Sequence, residues 1–396
     1  MNILYTSYYT EGRGGAELSM AIVASAIQKL GHNALIASSE SYGCFGLKTI
    51  KFRKYAKVPI FRLHEEYLSR FFKKIIAENK IDIVHANDRL TSVPAILAAK
   101  RCGVPVAVQL RDYWFACPKS TLLRRDGTSC SGCSLSEIHK CSASLWRIPW
   151  DAYKLNYLKR ARRVLNNADM RIAASNTIKE KAEMFNILDT IVIPNPVGPE
   201  FFSPCENDDL RETLGLSGTT ITYIGALDYS KGIMELLEVM IKLIDSAPNT
   251  SFLIVGNGRL SDKIQCRIAG EGLGKRIIVL GGLPHARMPE IYSCSDIVAV
   301  PSVWDEPFGR VCLEAMAAGK PVLASAAGGL REVIKDEWCL IPVFDSAAWD
   351  SKLRALISDK KMRERLGSEN KKCAEAYAPE KIARQLIKEY DRIKNA

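Results

Sequence analysis

No apolar run in this 396-residue chain is long enough to cross a bilayer. The longest, such as "DIVAV" and "TYIGAL", fall far short of the roughly 20 residues that a spanning helix needs. No low-complexity tract interrupts it, which argues against a disordered or fibrous chain. The start, "MNILYTSYY", lacks the charged opening, apolar stretch and small-residue cleavage site of a secretory signal, so the expectation is a cytoplasmic location. Acidic residues are scarce in the first half. Residues 1–197 carry 29 of the 55 Lys and Arg but only 16 of the 44 Asp and Glu. A one-sided basic field suits an anionic partner such as a phospholipid or a polyphosphate lipid carrier. No recognised nucleic-acid module is present, so nucleic acid is not expected.

What is present is ordinary for a globular protein: 47% hydrophobic and 25% charged residues. The length exceeds one ordinary core, so two domains are expected. "NILYTSYY", a Gly-rich turn, a helix over about Leu18 to Leu30 and "NALIASS" form a strand–helix–strand unit. "IDIVHAND" to "VPVAVQLRD" repeats it, and "MRIAAS" to "TIVIPNPV" repeats it again. A second series runs through "TTITYIGAL", "SFLIVGNG", "RIIVLGGL", "DIVAVPS" and "PVLASAAGG". Strands alternating with helices imply parallel sheets covered on both faces. The expected domains are 1–197, with an insertion at 117–141, and 198–378, joined through "IPNPVGPEFFSP". A terminal helix, 379–396, is expected to pack back on the first domain. Ligands of such sheets bind beyond the carboxyl ends of the strands, so the expected active site faces a cleft between the domains.

The stretch "SVWDEPFGRVCLEAMAAGKPVLAS" carries two glutamates, Glu306 and Glu314, on either side of Phe308-Gly309. Gly309 leaves the backbone unhindered before a helix that stops at Gly319, and the first turn of that helix offers free N–H groups to a phosphate. Glu306 lies in the loop and Glu314 about one and a half turns inside the helix, so they neither pair nor act as a simple cap. A nucleotide-sugar fits this layout: carboxylates for the hydroxyl-rich ends, and the helix N-terminus for the diphosphate.

On these residues the sequence resembles the family 4 retaining glycosyltransferases of the GT-B fold. The pattern E-P-F-G-x-x-x-x-E-A-M-A-x-G-x-P-V, together with "PNPV", "YIGALDYSKG", "VGNG" and "AAGGLREV", matches that family in order and spacing across essentially the whole chain. The resemblance implies two tandem Rossmann-like doubly wound α/β domains facing a cleft. It implies that Glu306 contacts the transferred sugar and Glu314 the ribose hydroxyls. It assigns Lys231, in "DYSKG", to neutralising the leaving diphosphate. Gly14, Gly15, Gly256, Phe308, Gly309, Arg310 and Val311 complete the implied donor site. Where the family usually carries an Arg, this chain has Ala226; Arg310 and Arg259 are the candidates to compensate. "GRGGAE" is not the dinucleotide fingerprint, since G-x-G-x-x-G is not satisfied.

His85, Asn87 and Asp88 end one strand, and Arg111-Asp112 end the next. By the same resemblance they are the acceptor-side candidates, with His85 at the reaction centre and Asp112 orienting or deprotonating the acceptor hydroxyl. No enzymic nucleophile is implied. No D-x-D occurs in the chain, which agrees with catalysis by helix dipole and Lys231 and no required cofactor.

Twelve cysteines without a secretory signal suggest reduced thiols. Cys117, Cys130, Cys133 and Cys141, spaced C-x12-C-x2-C-x7-C near His139, are candidates for a structural zinc; free thiols or labile disulfides are the alternatives. Residues 51–76 mix basic and aromatic side chains and suit either the inner face of an anionic membrane or an ordinary solvated helix. The reading is a retaining, metal-independent glycosyltransferase. It uses a UDP- or GDP-linked sugar and a saccharide or lipid-linked saccharide acceptor, in bacterial cell-surface polysaccharide synthesis. The alternatives are a catalytically silent nucleotide-sugar-binding protein and a nucleotide-sugar epimerase of the same fold.

Overall fold

The computed structural model describes residues 1–9, 14–41, 45–54, 61–124, 127–141, 145–203 and 208–396. Its contacts divide these into two compact units, Met1–Pro196 with Pro379–Ala396, and Val197–Ala378. Both are parallel sheets flanked by helices.

The first unit holds β1 (Asn2–Thr6), β2 (Asn33–Ser38), β3 (Lys48–Lys51), β4 (Ile83–Ala86), β5 (Val106–Leu110), β6 (Met170–Ala173) and β7 (Thr190–Val192). Their order across the sheet is β3-β2-β1-β4-β5-β6-β7. β4, β5 and β6 are buried along their whole length. Strands covered on both faces read as mainly apolar runs, not as alternating patterns; "VAVQL" does so with Gln109 as its one polar residue, and "MRIA" with Arg171. The helix Pro379–Lys394 belongs to this unit although the chain reaches it last. Ile382, Leu386, Tyr390 and Ile393 recur every three or four residues, which sets them on one face. That face joins the core cluster containing Tyr5, Ile27 and Ile36.

The second unit holds β8 (Thr219–Ile224), β9 (Thr250–Val255), β10 (Ile277–Gly281), β11 (Ile297–Val300), β12 (Val322–Ser325) and β13 (Leu340–Ile341), in the order β10-β9-β8-β11-β12-β13. In each sheet the first strand lies beside one that is distant in sequence: β1 beside β4, and β8 beside β11. The connections from that pair run to opposite sides. The loops beyond their carboxyl ends therefore diverge and leave a crevice, the usual ligand position in an open α/β sheet.

Of the basic-aromatic stretch 51–76, residues 55–60 lie outside the described residues; Phe61–Glu78 forms a helix packed on the helix Arg89–Cys102.

Candidate active site

In the second unit the crevice beyond β8 and β11 is built by two loops locked together. The Val303 N–H donates to the Ser230 carbonyl at 3.0 Å. Gly232 has φ +66°, and a Cβ there would stand 1.9 Å from the Pro301 carbonyl oxygen. Only glycine allows this close approach. The contact sets Lys231, which follows β8, beside Glu306, which follows β11. Lys231 Nζ lies 2.5 Å from Glu306 Oε1 and 4.9 Å from the centre of the Trp304 ring. Ser302 Oγ donates to the same Oε1 at 2.5 Å. Burial alone would raise the Glu306 pKa. The Lys231 charge and the hydrogen bonds from Lys231, Ser302 and Trp304 outweigh it and hold the carboxyl below its ordinary range.

Gly309, at φ +112°, precedes the helix Arg310–Ala317, and a Cβ there would press to 2.7 Å from the Leu330 side chain. Lys231, Ser302, Glu306, Gly309, Arg310 and Val311 line a cavity of about 120 Å³. Glu314 is buried one turn further along. Its Oε1 lies 2.6 Å from Arg310 Nε and 2.9 Å from His285 Nε2, and its Oε2 accepts the Tyr292 hydroxyl at 3.2 Å. Burial raises its pKa, but the Arg310 charge and the His285 contact prevail and lower it.

Other candidates of this unit take packing positions. Phe308 is buried edge-on to Tyr377, with ring centres 6.1 Å apart. A Cβ on Gly256 would meet the Gly225 carbonyl at 1.8 Å, so its glycine is required by contact between neighbouring strand ends. Arg259 is mostly exposed and held by Asp228 at 2.8 Å.

In the first unit the strand ends carry a polar constellation. Arg111 Nε donates to Asn87 Oδ1 at 2.9 Å, and Arg111 Nη1 donates to Asn195 Oδ1. Asp112 accepts the Trp114 N–H at 2.7 Å. Burial pushes its pKa up to about 6, against that bond and the Arg89 charge. Glu17, in the first turn of the helix Gly15–Lys29, is raised by burial and by the Asp88 and Asp112 charges, with Arg111 opposing them. The sequence reading passed over Glu17, although it closes the quoted "GRGGAE". It also missed Ser302, Trp304, His285 and Tyr292, the partners of the two glutamates.

Two acceptor-side candidates are held by the protein's own groups. His85 is 1% exposed, and its Nδ1 lies 2.6 Å from the Tyr390 hydroxyl. Burial, aided by the Arg111 charge, pushes its pKa down to about 3, so it is neutral. Asp88 caps the helix Arg89–Cys102 by accepting the N–H groups of Leu90 and Thr91 at 2.7 and 3.0 Å, a structural use of the side chain. Gly14 is exposed with extended backbone, and residues 10–13 of its loop lie outside the described residues. Cys117, Cys130, Cys133 and Cys141 line one cavity in this unit. Among the described residues no three His, Cys, Asp or Glu side chains stand in a metal-holding arrangement.

Two family models divide the chain between them: Glycosyltransferase Family 4 matches residues 13–201, and Glycosyl transferases group 1 matches residues 207–373. The chain belongs to the family 4 glycosyltransferases of the GT-B fold. It is 33% identical over 233 residues to an uncharacterized glycosyltransferase of Methanocaldococcus jannaschii, a match covering 55% of this chain and 59% of that relative. It is 26% identical over 363 residues to an uncharacterized 42.6 kDa protein in the cps region of Klebsiella pneumoniae, covering 84% and 87%. Its fold is similar to that of Anabaena HepE, solved with UDP and glucose. The TM-score is 0.74 at 20% identity, over 99% of both chains.

Proposed function

We propose that this chain transfers a sugar, with retention, from a UDP- or GDP-linked donor to a saccharide or lipid-linked saccharide. The observation that carries the reading is the pairing of Lys231 with Glu306 beside the open first turn of the helix Arg310–Ala317. Three kinds of charge stabilisation meet there: an ammonium, a helix N-terminus and a carboxylate. The sugar C1–oxygen bond breaks with its electron pair leaving on the diphosphate. Lys231 and the first-turn N–H groups stabilise that developing charge. The acceptor oxygen bonds to C1 on the same face, and its proton passes to the leaving phosphate oxygen. Glu306 positions the sugar by accepting from its hydroxyls.

Glu314 uses both oxygens on protein partners. Ribose hydroxyls entering there displace Arg310 or His285. A released Arg310, which lines the same cavity as Lys231, then supplies the second cation that Ala226 does not. The lack of a D-x-D pair in the sequence supports metal-independent transfer. The proposed setting is cell-surface polysaccharide synthesis, with contact to an anionic membrane through the basic first half. Among the described residues no helix is long and apolar enough to cross a membrane.

The test is thermal shift of the purified chain with UDP, GDP, ADP and their sugar conjugates, alongside Glu314→Gln. A ligand at a hundred times its Kd adds about 2.7 kcal/mol. One nucleotide family should stabilise the wild type and lose most of that effect in the variant. Equal shifts in both, or none, would overturn the donor-site assignment. Donor turnover separates transferase from silent binder, and interconversion of free nucleotide-sugars would reveal an epimerase.

A further inference from the structure

Beyond β5 the chain makes an excursion with little regular structure to hold it. Among the described residues of 112–141 there is one isolated antiparallel bridge, Leu123 with Ser129, and one seven-residue helix, Leu135–Cys141. Four cysteines that span the excursion nevertheless come together. Cys117, Cys130, Cys133 and Cys141 all line a single cavity of about 260 Å³. All four are free thiols, Cys117 and Cys130 buried and the other two half-buried.

The cavity wall carries three cations beside the thiols, Lys119, Arg147 and Lys154. Its two carboxylates are already matched: Glu137 by Arg124 at 2.7 Å and Lys140 at 2.9 Å, Asp151 by Lys154 at 3.0 Å. The Lys119 N–H points at Cys117 Sγ from 3.4 Å, two residues on, a contact that stabilises a thiolate. Between Cys130 and Cys133 the chain turns through Gly132 at φ +154°. A Cβ there would stand 2.5 Å from the Phe185 ring, so the turn is pressed into a tight knuckle.

We infer that this cavity is a structural zinc site with Cys117, Cys130, Cys133 and Cys141 as ligands. Zinc takes four thiolates tetrahedrally, at about 2.3 Å each. Among the described residues no three such side chains are close enough to chelate an ion as they stand. Capture therefore includes a turn of the thiols from one staggered χ1 well to another, toward the cavity centre. Each ligand gives its proton to water, up to four protons for one Zn²⁺. The resulting centre carries a net charge of about −2, which Lys119 and Arg147 offset, Lys154 being already paired with Asp151. The site staples the turn that also carries Asp112: the Tyr113 N–H donates to the Ser120 carbonyl at 3.4 Å and the Cys117 N–H to the Tyr113 carbonyl at 2.9 Å. This inference does not depend on the sugar-transfer reading.

The test is elemental analysis of the full chain, purified with a mild reductant in trace-metal-free buffer and then desalted. Wild type should carry one zinc per chain, released by a mercurial thiol reagent and read with a colorimetric chelator. Cys133→Ser and Cys141→Ser should lose most of it, while Cys266→Ser, exposed in the other unit, keeps it. Cobalt reconstitution should give thiolate-to-metal charge-transfer absorption. A folded, metal-free wild type that refuses added zinc, iron in place of zinc, or disulfides among these four found by mass spectrometry would each overturn the assignment. So would full zinc retention in both Ser variants. The wild-type metal content decides the matter even where a variant fails to fold.

Discussion

Lys231 and Glu306, 75 residues apart in sequence, share an ion pair of 2.5 Å at the switch between β8 and β11. In the proposed function a donor diphosphate would compete with Glu306 for that ammonium. Glu306→Gln weakens the competitor, so the bare nucleoside diphosphate should bind more tightly to the variant while sugar transfer falls at least a hundredfold. Calorimetry and a donor-turnover assay measure the two effects separately.

The same pair predicts a stability asymmetry. Lys231→Met leaves a buried carboxylate without its cation and should cost about 2 kcal/mol or more in urea denaturation. The double variant Lys231→Met/Glu306→Gln should recover most of the loss, because the two sites are coupled.

Arg310 and Arg259 are distinguishable as substitutes for the absent arginine. Arg310 lines the Lys231 cavity, whereas Arg259 is exposed on Asp228. Arg310→Gln should weaken nucleoside diphosphate binding about tenfold, the worth of one charge-assisted hydrogen bond, and Arg259→Gln should leave it nearly unchanged.

Asp112 gives a pH prediction. Its carboxyl titrates near 4 when unfolded and at about 6 when folded. Between those values the folded chain holds a proton that the unfolded chain has released, so stability falls as pH rises through the window. Asp112→Asn should match wild type below about pH 4 and exceed it at pH 7–8, on the order of 1 kcal/mol, in thermal melts. Its transfer activity should fall.

Tyr390 joins the last helix to the first sheet. Its hydroxyl lies 2.6 Å from His85 Nδ1 and 3.3 Å from the Tyr5 hydroxyl. Tyr390→Phe strands a buried ring nitrogen and should cost about 1–3 kcal/mol in urea denaturation. Nucleotide binding should not change, since this contact lies in the other unit from the Lys231 cavity.

Much of the fold was legible because each strand and helix announces itself locally. "VAVQL" and "SFLIV" are apolar but for one residue each, Gln109 and Ser251, and both lie in parallel sheets buried on two faces. Gly309, Glu306 and Lys231 could be singled out because they stand at strand and helix ends that the pattern marks. The surroundings of His85 could not be read in the same way. A histidine at a strand end reads alike whether it opens to a ligand or is roofed by a helix 305 residues later. Nothing local in "IVHA" refers to Tyr390.

The sequence by itself determined the alternation of strands and helices, the two parallel sheets and the loops that follow their carboxyl ends. Those features depend on apolar periodicity and on glycine placement, both properties of neighbouring residues. The tertiary structure alone decided which side chains those loops bring together. It set Lys231 against Glu306, His285 against Glu314 and Arg111 against Asn195. Strand order governs those meetings. In a parallel sheet neighbours are joined through helices, so residues that touch at the carboxyl ends lie tens of positions apart in the chain.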